Sequence, residues 1–458
     1  MKVIVCGAGQ VGFNIARYLA QEDNDVTVVD QSPELIRKIG DQLDVKAITG
    51  FASHPQVLAQ AGAADTDLLI AVTQADEVNM VACQVAHSLF DVTTKIARIR
   101  QQGYLNSMWA NFFSRDHMPI DVVISPEREV ASAISRRLQA PGAFEMITLV
   151  DGAVKLVGVR CEKDCPIVNT PLRQLTQLFP DLNVVIIGLV RDDEAKVPTS
   201  DDEMLPGDEV YFVAKADHVP RAMSAFGHEE AEARRLVIFG GGNIGQFLAQ
   251  EIEDEHPNVN LKVVEYDKTR AEAVARSLKR SVVLQGDVLD ADIMEEANVS
   301  TAETVVAVTN DDETNILSSL LAKRQGSGRA ITLVNSSTYA PLVASLGVDV
   351  AVSPRNITVS TILQHVRRGR IHGVHTLREG FGELIEAEAM ETSSLVGVPL
   401  KEADLPDGVI IGSVVRDGEV ITPTSSTVIE VNDRIVLFAT SDSVRQVEKM
   451  FAVRLEFF

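Results

Sequence analysis

Gly7-Ala8-Gly9-Gln10-Val11-Gly12 follows an apolar run, KVIVC, and precedes by 18 residues an acid, Asp30, that ends the next run, VTVVD. That spacing suits a loop that cradles phosphates. The first glycine permits a tight turn, the second lets the backbone approach a diphosphate, and the third lets the following helix pack closely on the sheet. The helix start offers free N–H groups to an anion. The acid can accept hydrogen bonds from ribose hydroxyls, and its charge repels a 2′-phosphate, so NAD or an adenine nucleotide is favoured over NADP. The pattern recurs as Gly240-Gly241-Gly242-Asn243-Ile244-Gly245 after LVIF, with Glu265 lying 20 residues past the last glycine. The competing reading of each copy is a degenerate module that binds nothing.

Thr73 and Thr309 close the fourth apolar run of each copy, where the carboxyl end of a parallel strand faces a ligand crevice. Asp76-Glu77-Val78-Asn79 and Asp312-Glu313-Thr314-Asn315 then begin a helix. Asp76 and Asp312 suit N-caps, with acids favourable in the first turn; contact with a ligand or an interface is the alternative. Arg98 and Arg100, in ARIR, share one face of a strand. Arg98 there can pair with a phosphate or reach a neighbouring subunit, and a solvated edge pair is the plainer alternative. Leu333 and Asn335 take their places in the second copy, so the two sites are not equivalent.

Cys6 and Cys83 lie in apolar surroundings and read as core residues. Cys161 and Cys165 form a CxxxC pair without a second pair, which argues against zinc. Reduced thiols fit a cytosolic protein. No metal triad, nucleophile elbow or Walker loop is present in the sequence. A dehydrogenase needs an acid/base group over the nicotinamide, and no histidine recurs at an equivalent position in the small modules of the two halves. No catalytic and no metal-ligating residue is therefore assigned. An NAD-dependent oxidoreductase of unknown substrate is the alternative function, and a redox sensor acting on DNA a third.

Such loops need a sheet beneath them, and the chain supplies two. The first half alternates KVIVCG, a helix, VTVVD, a helix from Pro33, VKAITG, a helix near Gln56, LLIAVT, a helix from Glu77, KIARIR and VVISP. Continuous apolar strands suit a parallel sheet covered on both faces. AVTQADEVN at Ala71 returns as AVTNDDETN at Ala307. Ile186-Ile187-Gly188 matches Ile410-Ile411-Gly412, Pro198-Thr199-Ser200 matches Pro423-Thr424-Ser425, and GDEVYFV at Gly207 matches NDRIVLF at Asn432. The shared acid, Asp208 with Asp433, falls in a turn before a strand. The fold expected is α/β: two tandem Rossmann-like, doubly wound parallel-sheet domains, each followed by a small α+β domain. The boundaries expected are 1–125 (N1), 126–227 (a connecting helix and C1), a charged linker 228–235 (HEEAEARR), 236–357 (N2) and 358–458 (a connecting helix and C2).

The chain has 458 residues, 45% of them hydrophobic, enough for several cores. No run approaches the roughly 20 apolar residues of a membrane span. A strand beginning near Lys2 leaves no room for a signal peptide, so a cytoplasmic protein is expected. A net charge of −23 opposes nucleic-acid binding and adsorption to anionic lipid. It leaves open a membrane protein with a basic cytoplasmic face.

GAGQVG, the strand-end acid, ITG and LQGD, AVTxxDExN, ARIR and the HVRR stretch at His365 to Arg368, taken in tandem, resemble the bacterial TrkA family. Its members are peripheral nucleotide-binding subunits of the Trk potassium-uptake system, built of tandem regulator-of-potassium-conductance (RCK) domains. The resemblance covers essentially the whole chain. It implies that the N modules bind NAD(H) and/or ATP/ADP as regulatory ligands. It also implies that the C modules assemble homo-oligomers, a dimer or tetrameric ring under a membrane-embedded potassium pore. The implied first site is Gly7, Ala8, Gly9, Gln10, Val11, Gly12, Asp30, Thr73 and Arg98. The implied second site is Gly240, Gly241, Gly242, Asn243, Ile244, Gly245, Glu265 and Thr309. Gly286-Asp287 stands where the first copy has Gly50-Phe51-Ala52, so the adenine ends of the two pockets should differ.

Overall fold

The computed structural model describes residues 1–21, 24–138, 140–163, 165–179, 182–192, 194–228, 233–336, 338–366, 371–377 and 381–451. Part of the expected linker and the arginines of HVRR fall on residues 229–232 and 367–370, outside the described residues. The chain divides into two compact units: residues 1–131 with 334–336 and 352–366, and the remainder.

The first unit is built on six parallel strands, β1 (Lys2–Cys6), β2 (Asp25–Asp30), β3 (Lys46–Thr49), β4 (Leu68–Ala71), β5 (Thr94–Arg98) and β6 (Val122–Ile124), in the order 3-2-1-4-5-6. Helices α1 (Gln10–Gln21), α2 (Pro33–Gln42), α3 (Pro55–Ala61) and α4 (Asp76–Phe90) connect them. Every residue of β4 is buried, as a strand covered on both faces requires. Ser32 caps α2 through Leu35 N–H, and Pro33 takes the first helical position, where its missing N–H costs nothing. This strand order reverses direction between β1 and β4, and ligands of such sheets bind in the crevice at that reversal.

The helix α5 (Pro126–Leu138) leads to the first small sheet, β7 (Ala143–Leu149), β8 (Val154–Arg160), β9 (Val184–Arg191), β10 (Glu194–Lys196) and β11 (Glu209–Lys215), with short helices α6 (Leu172–Leu178) and α7 (Val219–Ala225). Its pairings are antiparallel, in the order 10-9-11-8-7. The second parallel sheet comprises β12 (Arg235–Phe239), β13 (Asn260–Glu265), β14 (Val282–Gln285), β15 (Thr304–Ala307), β16 (Arg329–Leu333) and β17 (Val350–Val352), ordered 14-13-12-15-16-17. Its helices are α8 (Asn243–Glu255), α9 (Lys268–Ser277), α10 (Ala291–Glu296), α11 (Asp312–Gln325) and α12 (Ala340–Ser345). Then come α13 (Pro354–Gln364) and the last antiparallel sheet, β18 (Ile371–Leu377), β19 (Gly382–Glu388), β20 (Val409–Arg416), β21 (Glu419–Ile421) and β22 (Arg434–Thr440), closed by α14 (Val444–Phe451). Its order is 18-19-22-20-21. The two copies thus share both sheet topologies, as the internal repeat requires.

Two packing features were not expected from the repeat. The connecting helix α13, from the second half of the chain, packs on the first parallel sheet: Ile362, Leu363 and Val366 share a core with Val3, Ile15 and Leu19. In the other unit, Ser132 of α5 donates to Glu251 of α8 at 2.9 Å. Each connecting helix therefore touches the parallel module of the other half. The two small sheets also share one apolar cluster, Leu156, Ile187 and Val213 with Leu384, Val436 and Phe438. The repeated IIG glycines make that contact possible. A Cβ on Gly188 would lie 2.7 Å from Phe381, and one on Gly412 would lie 2.8 Å from Val213.

Candidate functional site

In the first module the chain leaves β1 at Cys6 and turns at Gly7, whose φ of 112° suits only glycine. Gly7 N–H donates to Val29 O at 2.7 Å, which ties the loop to β2. A Cβ on Gly12 would sit 1.8 Å from Gly7 O, so the third glycine is imposed by contact between helix and loop. Among the described residues, a Cβ on Gly9 would meet nothing within 4 Å. The middle glycine therefore faces open space above the sheet, next to the N–H groups that begin α1. The second copy repeats the turn and the close helix contact. Gly240 has φ 104°, its N–H donates to Val264 O at 2.8 Å, and a Cβ on Gly245 would lie 1.9 Å from Gly240 O.

The strand-end acids hold these loops. Asp30 accepts from Ala8 N–H at 2.7 Å and Ser32 N–H at 2.8 Å; Glu265 accepts from Gly241 N–H at 2.7 Å and Asp267 N–H at 2.9 Å. Each carboxylate oxygen keeps a second lone pair for another donor. Gln10, Val11, Asn243 and Ile244 sit at the helix starts, where backbone N–H groups lack intrahelical partners.

Thr73 and Thr309 lie two residues beyond the ends of β4 and β15. Their hydroxyls donate to Asn79 and Asn315 Oδ1, both at 2.7 Å, and their N–H groups donate to the same oxygens at 2.9 and 2.8 Å. The amide nitrogens donate back to Thr73 O and Arg98 O in one copy, and to Thr309 O and Leu333 O in the other. Asn79 and Asn315 are 0% exposed. They clamp the crevice loop to the neighbouring strand, a role the sequence reading missed. The signal was the repeated asparagine at the end of DExN.

The capping role expected for the aspartates is not what the structure contains. The residue preceding α4 is Ala75, without a side-chain cap. Asp76 instead accepts from Arg100 and Gln101 N–H at 2.9 and 2.7 Å, securing the loop after β5. In α11 the cap is Asp311, which accepts from Thr314 N–H, and not Asp312. The two arginines of ARIR also part company, because β5 ends at Arg98 and strand alternation does not extend to Arg100. Arg98 Nη2 donates to Thr73 O at 2.8 Å, whereas Arg100 pairs with Glu127 at 2.7 Å. Arg98 Nε is buried and has no hydrogen-bond partner among the described residues. Burial first, and then the Arg100 charge, hold the Arg98 pKa below its ordinary value.

In the second copy a cavity of about 300 Å³ opens over the loop, lined by Gly240, Gly242, Glu265, Asp287, Thr309 and Arg270, among others. Asp287 accepts from Leu289 N–H at 2.9 Å. Its counterpart Phe51 is half exposed, with its ring 5.2 Å from that of His54. Cys6, Cys83, Cys161 and Cys165 are free, buried thiols. No cluster suited to a metal ion and no helix long and apolar enough to cross a membrane occurs among the described residues.

Family models agree with this duplicated architecture. The TrkA-N domain matches residues 3–126 and 236–354, and the TrkA-C domain matches 156–227 and 384–452. A Trk system potassium uptake protein TrkA of Azorhizobium caulinodans is 55% identical over 458 residues, covering all of both chains. The protein of the same description from Halomonas elongata is 41% identical, again over all of both chains. Among solved structures, the RCK domain of GsuK has a TM-score of 0.61 at 17% identity, covering 99% of this chain and 95% of that one. The GsuK channel bound to NAD has a TM-score of 0.61 at 16% identity, covering 99% and 79%. With family-model matches in both halves and full-length identity of this order, the chain belongs to the TrkA family of Trk-system potassium uptake proteins.

Proposed function

We propose that this chain is the cytoplasmic regulatory subunit of a Trk-type potassium pathway, that it binds NAD(H) and/or ATP/ADP in its two N modules, and that it performs no catalysis. The observation that carries this reading is the doubled site. Both parallel sheets present a glycine loop with room for a Cβ at its middle glycine, a strand-end acid bracing it and a buried asparagine clamping the opposite wall. NAD is the ligand of the GsuK channel structure that shares the fold, and it is carried over here as part of the proposal. In this reading homo-oligomers form a tetrameric ring on the inner face of the membrane, attached through the membrane-embedded Trk subunit. Nucleotide then changes the ring and biases conduction. A ligand can do so only through different affinity for two states, about 1.4 kcal/mol for a tenfold bias.

The test is reconstitution with the membrane subunit in vesicles, measuring potassium flux with ATP, ADP and NADH added in turn. A several-fold change with at least one nucleotide is expected. Flux indifferent to all three would remove the regulatory role, and steady NADH turnover would favour the oxidoreductase alternative. The ribose role of Asp30 has its own test. Asp30→Ala is expected to bring the affinity for NADPH to within a few-fold of that for NADH, by calorimetry. Continued exclusion of NADPH would show that the carboxylate does not select the ribose.

A further inference from the structure

We infer that Arg270 grips the pyrophosphate of the nucleotide in the second cavity, so that this site carries its phosphate-binding cation on the α9 side of the crevice, whereas Arg98 lies on the β5 side in the first. The inference rests on reading the N modules as nucleotide sites. Arg270 stands in the first turn of α9, where its N–H donates to the cap Asp267 at 2.8 Å. Asp267 N–H is held in turn by Glu265, and Glu265 also braces the glycine loop through Gly241 N–H. The backbone that carries Arg270 is therefore fixed relative to the loop. Its side chain lines the cavity, with Nη1 3.8 Å from where a Cβ on Gly242 would stand.

Glu265, Asp287 and Asp311 line the same cavity. Glu265 and Asp287 already accept from backbone N–H groups, and so does Asp311, which caps α11. Arg270 makes no ion pair among the described residues, so its guanidinium donors stay available. Gly242 is the middle glycine, where a diphosphate comes closest to the backbone. A planar, permanently charged fork beside that point matches paired phosphate oxygens.

The first copy places Leu35 at this position, counting from the caps Ser32 and Asp267. Leu35 packs against the core of its own sheet. Conversely, Leu333 takes the place of Arg98 in the second copy. Each module therefore retains one arginine at the crevice, delivered from a different element. Self-comparison of the halves passes over Arg270 because nothing matches it.

The test is calorimetry on the full-length chain with ADP and, separately, adenosine. Wild type should show two classes of ADP site. Arg270→Leu, which installs the first copy's residue on an exposed helical turn, should weaken one class about tenfold or more and leave adenosine within about twofold. Arg270→Lys should fall between, because an ammonium cannot fork, and Arg98→Ala should leave that class unchanged. Both ADP classes unchanged in Arg270→Leu would overturn the inference. So would equal losses for ADP and adenosine, which mark stacking on the base. Gly242→Ala separates this from failure of the site itself, since its Cβ has room. If Gly242→Ala abolishes one ADP class and Arg270→Leu does not, the site stands and Arg270 has no part in it. If neither changes ADP binding, the nucleotide reading of the second module falls, and the role of Arg270 with it.

Discussion

Gly245→Ala is expected to destabilise the second parallel module by about 3 kcal/mol, at the upper end of overpacking costs, and to lower its melting transition by about 10 °C. The added Cβ would stand 1.9 Å from Gly240 O. That carbonyl cannot retreat, because Gly240 is anchored through its N–H to Val264 O and holds a φ of 104°. Gly12→Ala should do the same to the first module, with its Cβ 1.8 Å from Gly7 O. Gly9→Ala is the informative contrast. Its Cβ meets nothing within 4 Å among the described residues, so melting of the ligand-free protein should be unchanged while nucleotide binding at the first site is lost. Thermal unfolding and calorimetry on the same three variants decide the matter. If Gly9→Ala binds as wild type does, no ligand approaches that glycine. If Gly245→Ala melts with wild type, the helix and loop have room that the geometry denies.

The glycine spacing is readable in one dimension because a single contact imposes it, and the strands are readable because both faces of the sheet are buried. The strand-end acids are equally visible, although their bracing of the loop through Ala8 and Gly241 N–H is not. Repetition misleads where one residue type serves two purposes. DExN reads as a helix start, and it is one, yet Asp76 secures a loop 24 residues away and Asn79 clamps Thr73. Arg270 is the opposite case, a residue whose meaning depends on what faces it across the cavity. The packing of α13 on the first sheet is long-range, and the chain order of the modules carries no trace of it. The IIG glycines stood out as a repeat, but only the contact of Gly188 with Phe381 and of Gly412 with Val213 supplies their reason.

Asp208→Ala is expected to cost the first small domain about 2–3 kcal/mol, below the usual figure for breaking a buried ion pair because its arginine is 36% exposed. The turn role expected for this aspartate is correct and incomplete. Asp208 is 2% exposed, accepts from Leu205 N–H at 2.7 Å, and is forked by Arg191 at 2.9 and 2.7 Å. Asp433 repeats every element of this with Glu430 N–H and Arg416. Removal of the carboxylate strands a buried N–H and an arginine together, which is why the loss exceeds that of a surface pair. The effect should depend on pH in a definite sense. Burial pushes the Asp208 carboxyl up, but the Arg191 and Leu205 hydrogen bonds outweigh it and hold the carboxyl below its ordinary value. A carboxylate depressed on folding adds stability above its unfolded pKa, about 3.9, and that stability is lost as pH falls through the folded value. The gap in melting temperature between wild type and Asp208→Ala should therefore hold steady above about pH 5 and narrow below about pH 4. A gap that persists unchanged into acid would mean that the carboxylate charge contributes nothing. A variant that melts with wild type at neutral pH would mean that the fork is ornamental. Asp208→Asn, which keeps the acceptor and loses the charge, should lie between the two and share the flattened acid limb.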